Sequence, residues 1–453
     1  MTENPQPNSI SSGQRKVLLA AAFLAWMFAG LENSLFILIH RQMMTELLGP
    51  TGTEQLITQW LAWYQAAFLF GAAAGGWLFG WMGDRHGRTF SMGCSVVCYS
   101  GLTLAAWFVT DPQWMWAVRF TACLGIGGAW PNAVALVAEA CPSASRPWLA
   151  GLLGSAANFG FVLLGVIGYY SQITNDDWRW VLLVGASPLV IGLWILTAVP
   201  ESAVWQTSRA AARVAQKKSA PLSEVLRPPL LYRTLLGISL GAIPVVGTAA
   251  NANWVVPWTD QVNSRIQQEQ PPAADGKAAV TKVAKKPDPR QKAKTQIQRS
   301  SGAILGSLLG GAIASFLGRR ITYFLISLCT FATSTWIFSQ LTPLHPHFSI
   351  FTFLLGFFGV AYFGWLPLFL PELFPTDVRS TGSGVSFNTG RILAAVVVLY
   401  AGFRMNSFQG DYAQVGLWSG MIYVVGMIII WFAPGQPAVA AVSNHGTETK
   451  RDS

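Results

Sequence analysis

Twelve apolar runs of about twenty residues, separated by short polar breaks, constrain this chain more than any other feature, because that length as α-helix (~1.5 Å per residue) covers the ~30 Å hydrocarbon of a bilayer. They lie near Val17–Ile39, Trp60–Trp81, Phe90–Val109, Trp114–Ala138, Ala150–Tyr170, Trp180–Val199, Leu231–Pro257, Gly302–Leu317, Ile321–Leu341, Ser349–Leu370, Thr381–Phe403 and Val415–Phe432. Inside lipid a backbone N–H or C=O has no water to bond, so each run must close its hydrogen bonds as helix. The fold class is therefore an all-α membrane protein of twelve transmembrane helices. With 52% hydrophobic and 11% charged residues, the chain also lacks the polar surface of a soluble domain.

The excess of base, +10 at pH 7, follows topology and does not point to nucleic acid. Lys and Arg concentrate in alternate breaks, as expected if those breaks and both termini are cytoplasmic. This gives a cytoplasmic tail (residues 1–16), a six-helix bundle (17–199), a cytoplasmic linker (200–230), a second six-helix bundle (231–432) and a cytoplasmic tail (433–453), in the plasma (inner) membrane. A Lys-rich stretch between the seventh and eighth runs reads as an extended external loop, residues 259–299, lying on the wrong side for its charge. Long loops translocate with little regard to charge. The five cysteines fall in or at the ends of spans, with no metal-ligand spacing and no framework for disulfides. No metal or other cofactor is expected, only a proton as coupling ion. No nucleophile and base stand at motif spacing, so an enzyme is not expected either.

The two bundles repeat. "EACPSASR" closes the fourth span and "ELFPTDVR" the tenth, so Glu139, Pro142 and Arg146 correspond to Glu372, Pro375 and Arg379 with identical spacing. The turn "GWMGDRHGR" after the second span has its counterpart in "GAIASFLGRR", where Ser315 replaces Asp84 and Phe316 replaces Arg85. A weaker charge network is expected in the second copy. Asp84, Arg85, Arg88, Glu139, Arg146, Glu372 and Arg379 read as gating residues, pairing across cytoplasmic helix ends and separating when two parallel halves rock about a central site.

These motifs together, with "PES" (Pro200 to Ser202) closing the sixth span, resemble the major facilitator superfamily across essentially all twelve spans. "PNAVALVAEACPSASR" is similar to the aromatic-acid and related metabolite:proton symporters; "FPTDVRSTGSGVSFNTGR" is similar to these and to sialic-acid and organic-ion carriers. Thr89 stands where the first motif often has a second base, and "AGLEN" keeps one acid where the aromatic-acid group typically has two, which leaves the solute open. The resemblance implies a monomeric carrier of a small-molecule solute in the lipid bilayer. The fifth span lacks the glycine-proline motif of many drug exporters, which favours import.

Glu32 is the one acidic residue placed well inside a span. A carboxylate at that depth costs ~2.5–3.5 kcal/mol even on lenient insertion scales and is functional by default. Depth counting puts Arg119 of the fourth span beside it, in the outer half of the bilayer. In the sugar/proton symporters an acid of the first span and the arginine of a fourth-span "RxxxGxGxG" couple proton to solute; here "RFTACLGIG" matches except that Cys123 replaces the first glycine. Glu32 and Arg119 are thus the proton-coupling candidates, the alternative being a permanent structural pair. Arg391 lies near mid-depth with no acid on its helix and either receives a solute carboxylate or bonds backbone carbonyls. The remaining solute-binding candidates are Asn388, Asn251, Asn253, Trp254, Gln65, Asn132, Asn158, Tyr362 and Trp365, with Tyr64 and Trp130 as further cavity candidates. In the seventh span Pro244, Gly247 and Pro257 can break the helix and turn its Asn residues inward.

Overall fold

A computed structural model describes residues 11–141, 146–203, 205–207, 222–269, 288–375 and 378–434. Among the described residues, twelve helices are long and apolar enough to cross a membrane: α1 (Ser12–Thr51), α2 (Glu54–His86), α3 (Arg88–Phe108), α4 (Pro112–Ala140), α5 (Gly151–Tyr170), α6 (Trp180–Ala198), α7 (Leu230–Ile266), α8 (Gln291–Leu317), α9 (Arg319–Gln340), α10 (Phe348–Glu372), α11 (Thr381–Arg404) and α12 (Tyr412–Phe432). The described residues contain no strand. Polar residues set where the helices begin: Ser11 and Gln14 form a reciprocal capping box at α1, while Thr53, Asp111 and Asp411 accept backbone N–H groups at the starts of α2, α4 and α12.

Among its described residues, the expected external loop 259–299 is largely helix. Beyond a break at Asn251 and a short 3-10 turn, Ala252–Trp254, the chain re-enters helix as Val255–Glu269, and α8 starts at Gln291, well before Gly302. Residues 270–287 of the Lys-rich stretch lie outside the described residues. Hydropathy ended both spans too early because polar side chains here face protein: Thr295, Gln296 and Arg299 are buried.

Helices pack in two equivalent sets. Within the first half α2 crosses α4 so closely that a Cβ on Gly75 would overlap the Leu124 carbonyl; within the second, α8 crosses α10 so that a Cβ on Gly306 would overlap that of Phe357. Small residues allow this backbone approach in lipid, where dispersion and close fit replace the hydrophobic effect as the attraction between helices. The halves meet along two seams, α2 with α11 and α5 with α8. A cavity lies between the seams.

The repeated turns hold each half at the side of the chain termini. Gly87 and Gly318 take positive φ (125° and 86°) between α2 and α3 and between α8 and α9. Glu201 of the "PES" motif reaches the turn after α2, its carboxylate accepting from the backbone N–H of Thr89 (3.1 Å) and Phe90 (3.4 Å) at the start of α3. Thr89 in turn donates through Oγ1 to the Pro200 carbonyl, 3.1 Å away. A carboxylate on exposed helix N–H groups also meets the positive end of the helix dipole. Glu201→Ala should therefore lower stability by about 1–2 kcal/mol, visible as a reduced thermal midpoint in detergent, whereas an unchanged midpoint would remove the capping role.

Among the described residues, the ion pairs of the gating set lie within halves, not between them. Arg88 binds Asp84 at 2.6 Å and approaches Glu139 at 3.7 Å, and Ser202 donates to Glu139. Arg319 takes Glu372 in two bonds of 2.8 and 3.1 Å. The second network is thus not the weaker one in geometry: with Ser315 in place of the aspartate, Arg319 gives both Nε and Nη2 to Glu372. Arg85 stacks on Trp81, its Cζ 5.4 Å from the ring centroid. Arg379 pairs with no acid among the described residues, its Nε left without a partner, and the Arg146 side chain lies outside them. These motifs tie helix ends together in each half because their acids close α4 and α10, directly beside the α2–α3 and α8–α9 turns.

Candidate functional site

Glu32 and Arg119 meet. Arg119 Nη1 lies 2.6 and 2.7 Å from the two carboxylate oxygens, with Glu32 0% and Arg119 2% exposed. Thr103 donates to Glu32 Oε1 at 3.1 Å, Arg119 Nη2 donates to Asn33 Oδ1 at 2.9 Å, and the guanidinium lies 4.3 Å from the Phe36 ring centroid. The local cause is a close crossing of α3 on α4: a Cβ on Gly125 would crowd the Ser95 carbonyl, the Tyr99 backbone nitrogen and the Cys98 side chain. A buried pair of this kind is held by mutual attraction and by hydrogen bonds to its remaining atoms; loss of either partner strands a charge in low dielectric.

Asn33 also lines the central cavity, about 140 Å³ and bounded by both halves. Trp26 and Trp130, ring centroids 4.8 Å apart, form part of one wall, and Phe68, Phe161, Phe363 and Phe387 others. Asn158, Thr248 and Asn253 supply neutral polar groups, Asn253 with Oδ1 unbonded. Arg391 is 8% exposed, donates once to the Ala72 carbonyl (3.2 Å) and lies over Phe387 at 4.6 Å. Arg299 is 2% exposed, its Cζ 5.2 Å from the Phe161 ring centroid, with Nε unbonded.

Of the solute-binding candidates read from sequence, Arg391, Asn253, Asn158 and Trp130 line this cavity; the others do not, and most of them are hydrogen-bonded elsewhere. Asn132 donates to the Phe79 and Gly128 carbonyls and to Ser91 Oγ, joining α2, α3 and α4. Asn251 ties the α7 break to α12 through the Gly416 carbonyl (2.7 Å) and accepts from Ser334 of α9. Trp254 bonds the Ala249 carbonyl, Tyr362 bonds Ser327, Trp365 bonds the Arg319 carbonyl and Tyr64 bonds the Pro112 carbonyl. Gln65 is buried in α2 outside the cavity, and Asn388 sits on the α2–α11 seam against Gly76. Arg299 was missed because it fell in the expected loop. The signal available was spacing: Lys292, Gln296 and Arg299 recur at helical intervals, one polar face of a span.

At the side away from the termini, polar bonds join the halves. Lys292 Nζ of α8 donates to Gln42 of α1 at 2.8 Å and pairs with Asp260 at 3.2 Å, Gln261 donates to Glu54 at 3.1 Å, and Gln296 donates to the Phe161 carbonyl at 3.0 Å. These contacts separate the cavity from a wider vestibule of about 840 Å³ lined by Arg41, Asp260 and Lys292 among others.

Known proteins resemble this chain in sequence or in fold. The chain is 28% identical over 334 residues to a probable 4-methylmuconolactone transporter of Cupriavidus pinatubonensis, covering 73% of this chain and 71% of that protein. It is 25% identical over 414 residues to the cis,cis-muconate transport protein of Acinetobacter baylyi, covering 89% and 91%. Among solved structures, the inward-open xylose transporter XylE from E. coli superposes with a TM-score of 0.69 at 16% identity over 94% of this chain and 97% of that one, a likeness of fold. The Major Facilitator Superfamily profile matches residues 18–260, more than half of a chain whose twelve spans and paired turns repeat in two halves; this protein belongs to that superfamily of membrane transporters.

Proposed function

We propose that the protein is a proton-coupled importer of a compact organic carboxylate with a flat, conjugated or aromatic body, working by alternating access in the inner membrane with both termini in the cytoplasm. The observation that carries this reading is that one residue joins the buried pair to the cavity: Asn33 accepts from Arg119 and also faces the cavity. A proton on Glu32 removes the charge that holds Arg119, and the guanidinium's hold on Asn33 changes with it. Solute in the cavity and proton on Glu32 then bias each other, as linkage between two sites requires.

The cavity chemistry supports the solute class. Arg391 offers a two-pronged donor for a carboxylate, and the walls are mostly rings with few hydrogen-bonding groups. A sugar, which needs many polar partners, fits such walls poorly. At about 140 Å³ the space is also below the ~300 Å³ where drug-sized sites begin. Muconate, the solute in one relative's name, is a conjugated carboxylate of this size class.

A thermal-shift screen of the purified protein against aromatic and diene carboxylates, sialic acids and sugars tests the class; stabilisation by sugars alone would contradict it. Uptake in vesicles with and without an imposed proton gradient tests the coupling. Uptake indifferent to the gradient would favour a uniporter, and binding without flux a sensor. Asn33→Ala should leave solute exchange within about threefold of wild type while gradient-driven accumulation falls about tenfold, the size of a coupling energy of ~1.4 kcal/mol. Equal loss of both would make Asn33 a binding residue only.

A further inference from the structure

We infer that the solute is a dicarboxylate, held by Arg391 at one end and Arg299 at the other. This rests on the carboxylate-carrier reading above and adds its charge and length. Among the described residues, three arginines reach the buried centre, Arg119, Arg299 and Arg391, and one acid does, Glu32. Glu32 neutralises Arg119 at 2.6 Å. Lys292, buried nearer the vestibule, has Asp260. Arg299 and Arg391 are left without an acid, and both line the same cavity.

Neither guanidinium is satisfied by its surroundings. Of five N–H donors, Arg391 commits one to the Ala72 carbonyl, and Arg299 bonds no acceptor among the described residues. Their ring contacts, Phe387 and Phe161, cover one face of each and leave the in-plane donors free. A monocarboxylate compensates one such cation and leaves the other buried and alone, the costly arrangement. A dicarboxylate compensates both.

Their placement sets the geometry. Arg391 stands on α11 at its seam with α2, bonded to Ala72; Arg299 stands on α8 at its seam with α5, over Phe161. The two seams flank the cavity, so a solute with carboxylates at opposite ends of a flat body reaches from one to the other past Trp26 and Trp130. Such a solute contacts both halves at both seams, and its release requires that at least one seam loosen. The charge count is independent of that geometry.

The test compares matched pairs: trans,trans-muconate with sorbate, the same hexadiene chain carrying two carboxylates or one, and terephthalate with 4-methylbenzoate, the same ring carrying two or one. Binding to the full-length purified protein is measured by calorimetry at neutral pH. Wild type should bind the better dicarboxylate about thirtyfold more tightly than its one-carboxylate partner, the worth of one charge-assisted bond pair. Arg299→Gln should remove that preference and leave the monocarboxylate's affinity within about threefold, which also shows the variant folded; Arg299→Lys, which restores the charge without the forked donor set, should recover part of the preference. Equal affinities within both pairs for wild type, or an Arg299→Gln loss shared equally by both members of a pair, would overturn the dicarboxylate assignment while the carrier reading stands. No binding of any of the four acids by folded protein would overturn both.

Discussion

Glu32→Gln should abolish gradient-driven accumulation and leave solute exchange intact. A gradient of one pH unit is worth ~1.4 kcal/mol per proton, or about tenfold in solute concentration, and with the membrane potential clamped this entire accumulation should vanish. The amide keeps an oxygen for Arg119 and Thr103, whose donors now reach Glu32 at 2.6 to 3.1 Å, but has no proton to release. Exchange of labelled for unlabelled solute needs no net proton movement and should persist. Glu32→Ala is a harsher change: it strands Arg119, 2% exposed, without a carboxylate, and should cost about 3–5 kcal/mol of stability. If Glu32→Gln accumulates solute as wild type does, the pair is structural and the proton site lies elsewhere.

Gly306→Val should give no stable protein. A Cβ at this position would overlap the backbone carbonyl of Phe357, and a backbone atom inside a packed helix cannot rotate aside as a side-chain tip can. The helices must part along the α8–α10 contact, at the upper end of the overpacking range, about 3 kcal/mol or more, and with them moves the helix that carries Arg299. Gly80→Ala is the contrast, since a Cβ on Gly80 meets nothing within 4 Å; its thermal midpoint should match wild type within a degree or two or rise. Monodispersity and thermal unfolding in detergent separate the two. A folded Gly306→Val with wild-type stability would refute the close crossing.

The Glu32–Arg119 meeting was legible in sequence because depth is simple to count along antiparallel spans, and two long side chains tolerate an error of several ångström. The two halves were legible because a turn motif needs the same glycine and arginine wherever it occurs, and Gly87 and Gly318 share positive φ for that reason. Rotation about a helix axis was not legible. Each residue turns the face by about 100°, so Asn132 and Asn251, at plausible depths, proved to bond neighbouring helices and not the cavity, while Asn253 and Asn158 face it. Arg299 was hidden by the hydropathy average, which counts a buried cation as loop. Here a charge inside a span lines the cavity, and averaging hid it.

The most direct test of proton-coupled carboxylate import is proton movement driven by solute alone. Wild-type protein is reconstituted in vesicles with a trapped pH dye and no initial gradient, with potassium and valinomycin holding the potential at zero, and trans,trans-muconate is added outside. The account predicts acidification of the lumen in step with labelled muconate uptake, and its absence in Glu32→Gln. Muconate uptake by wild type with no change in lumenal pH would contradict it.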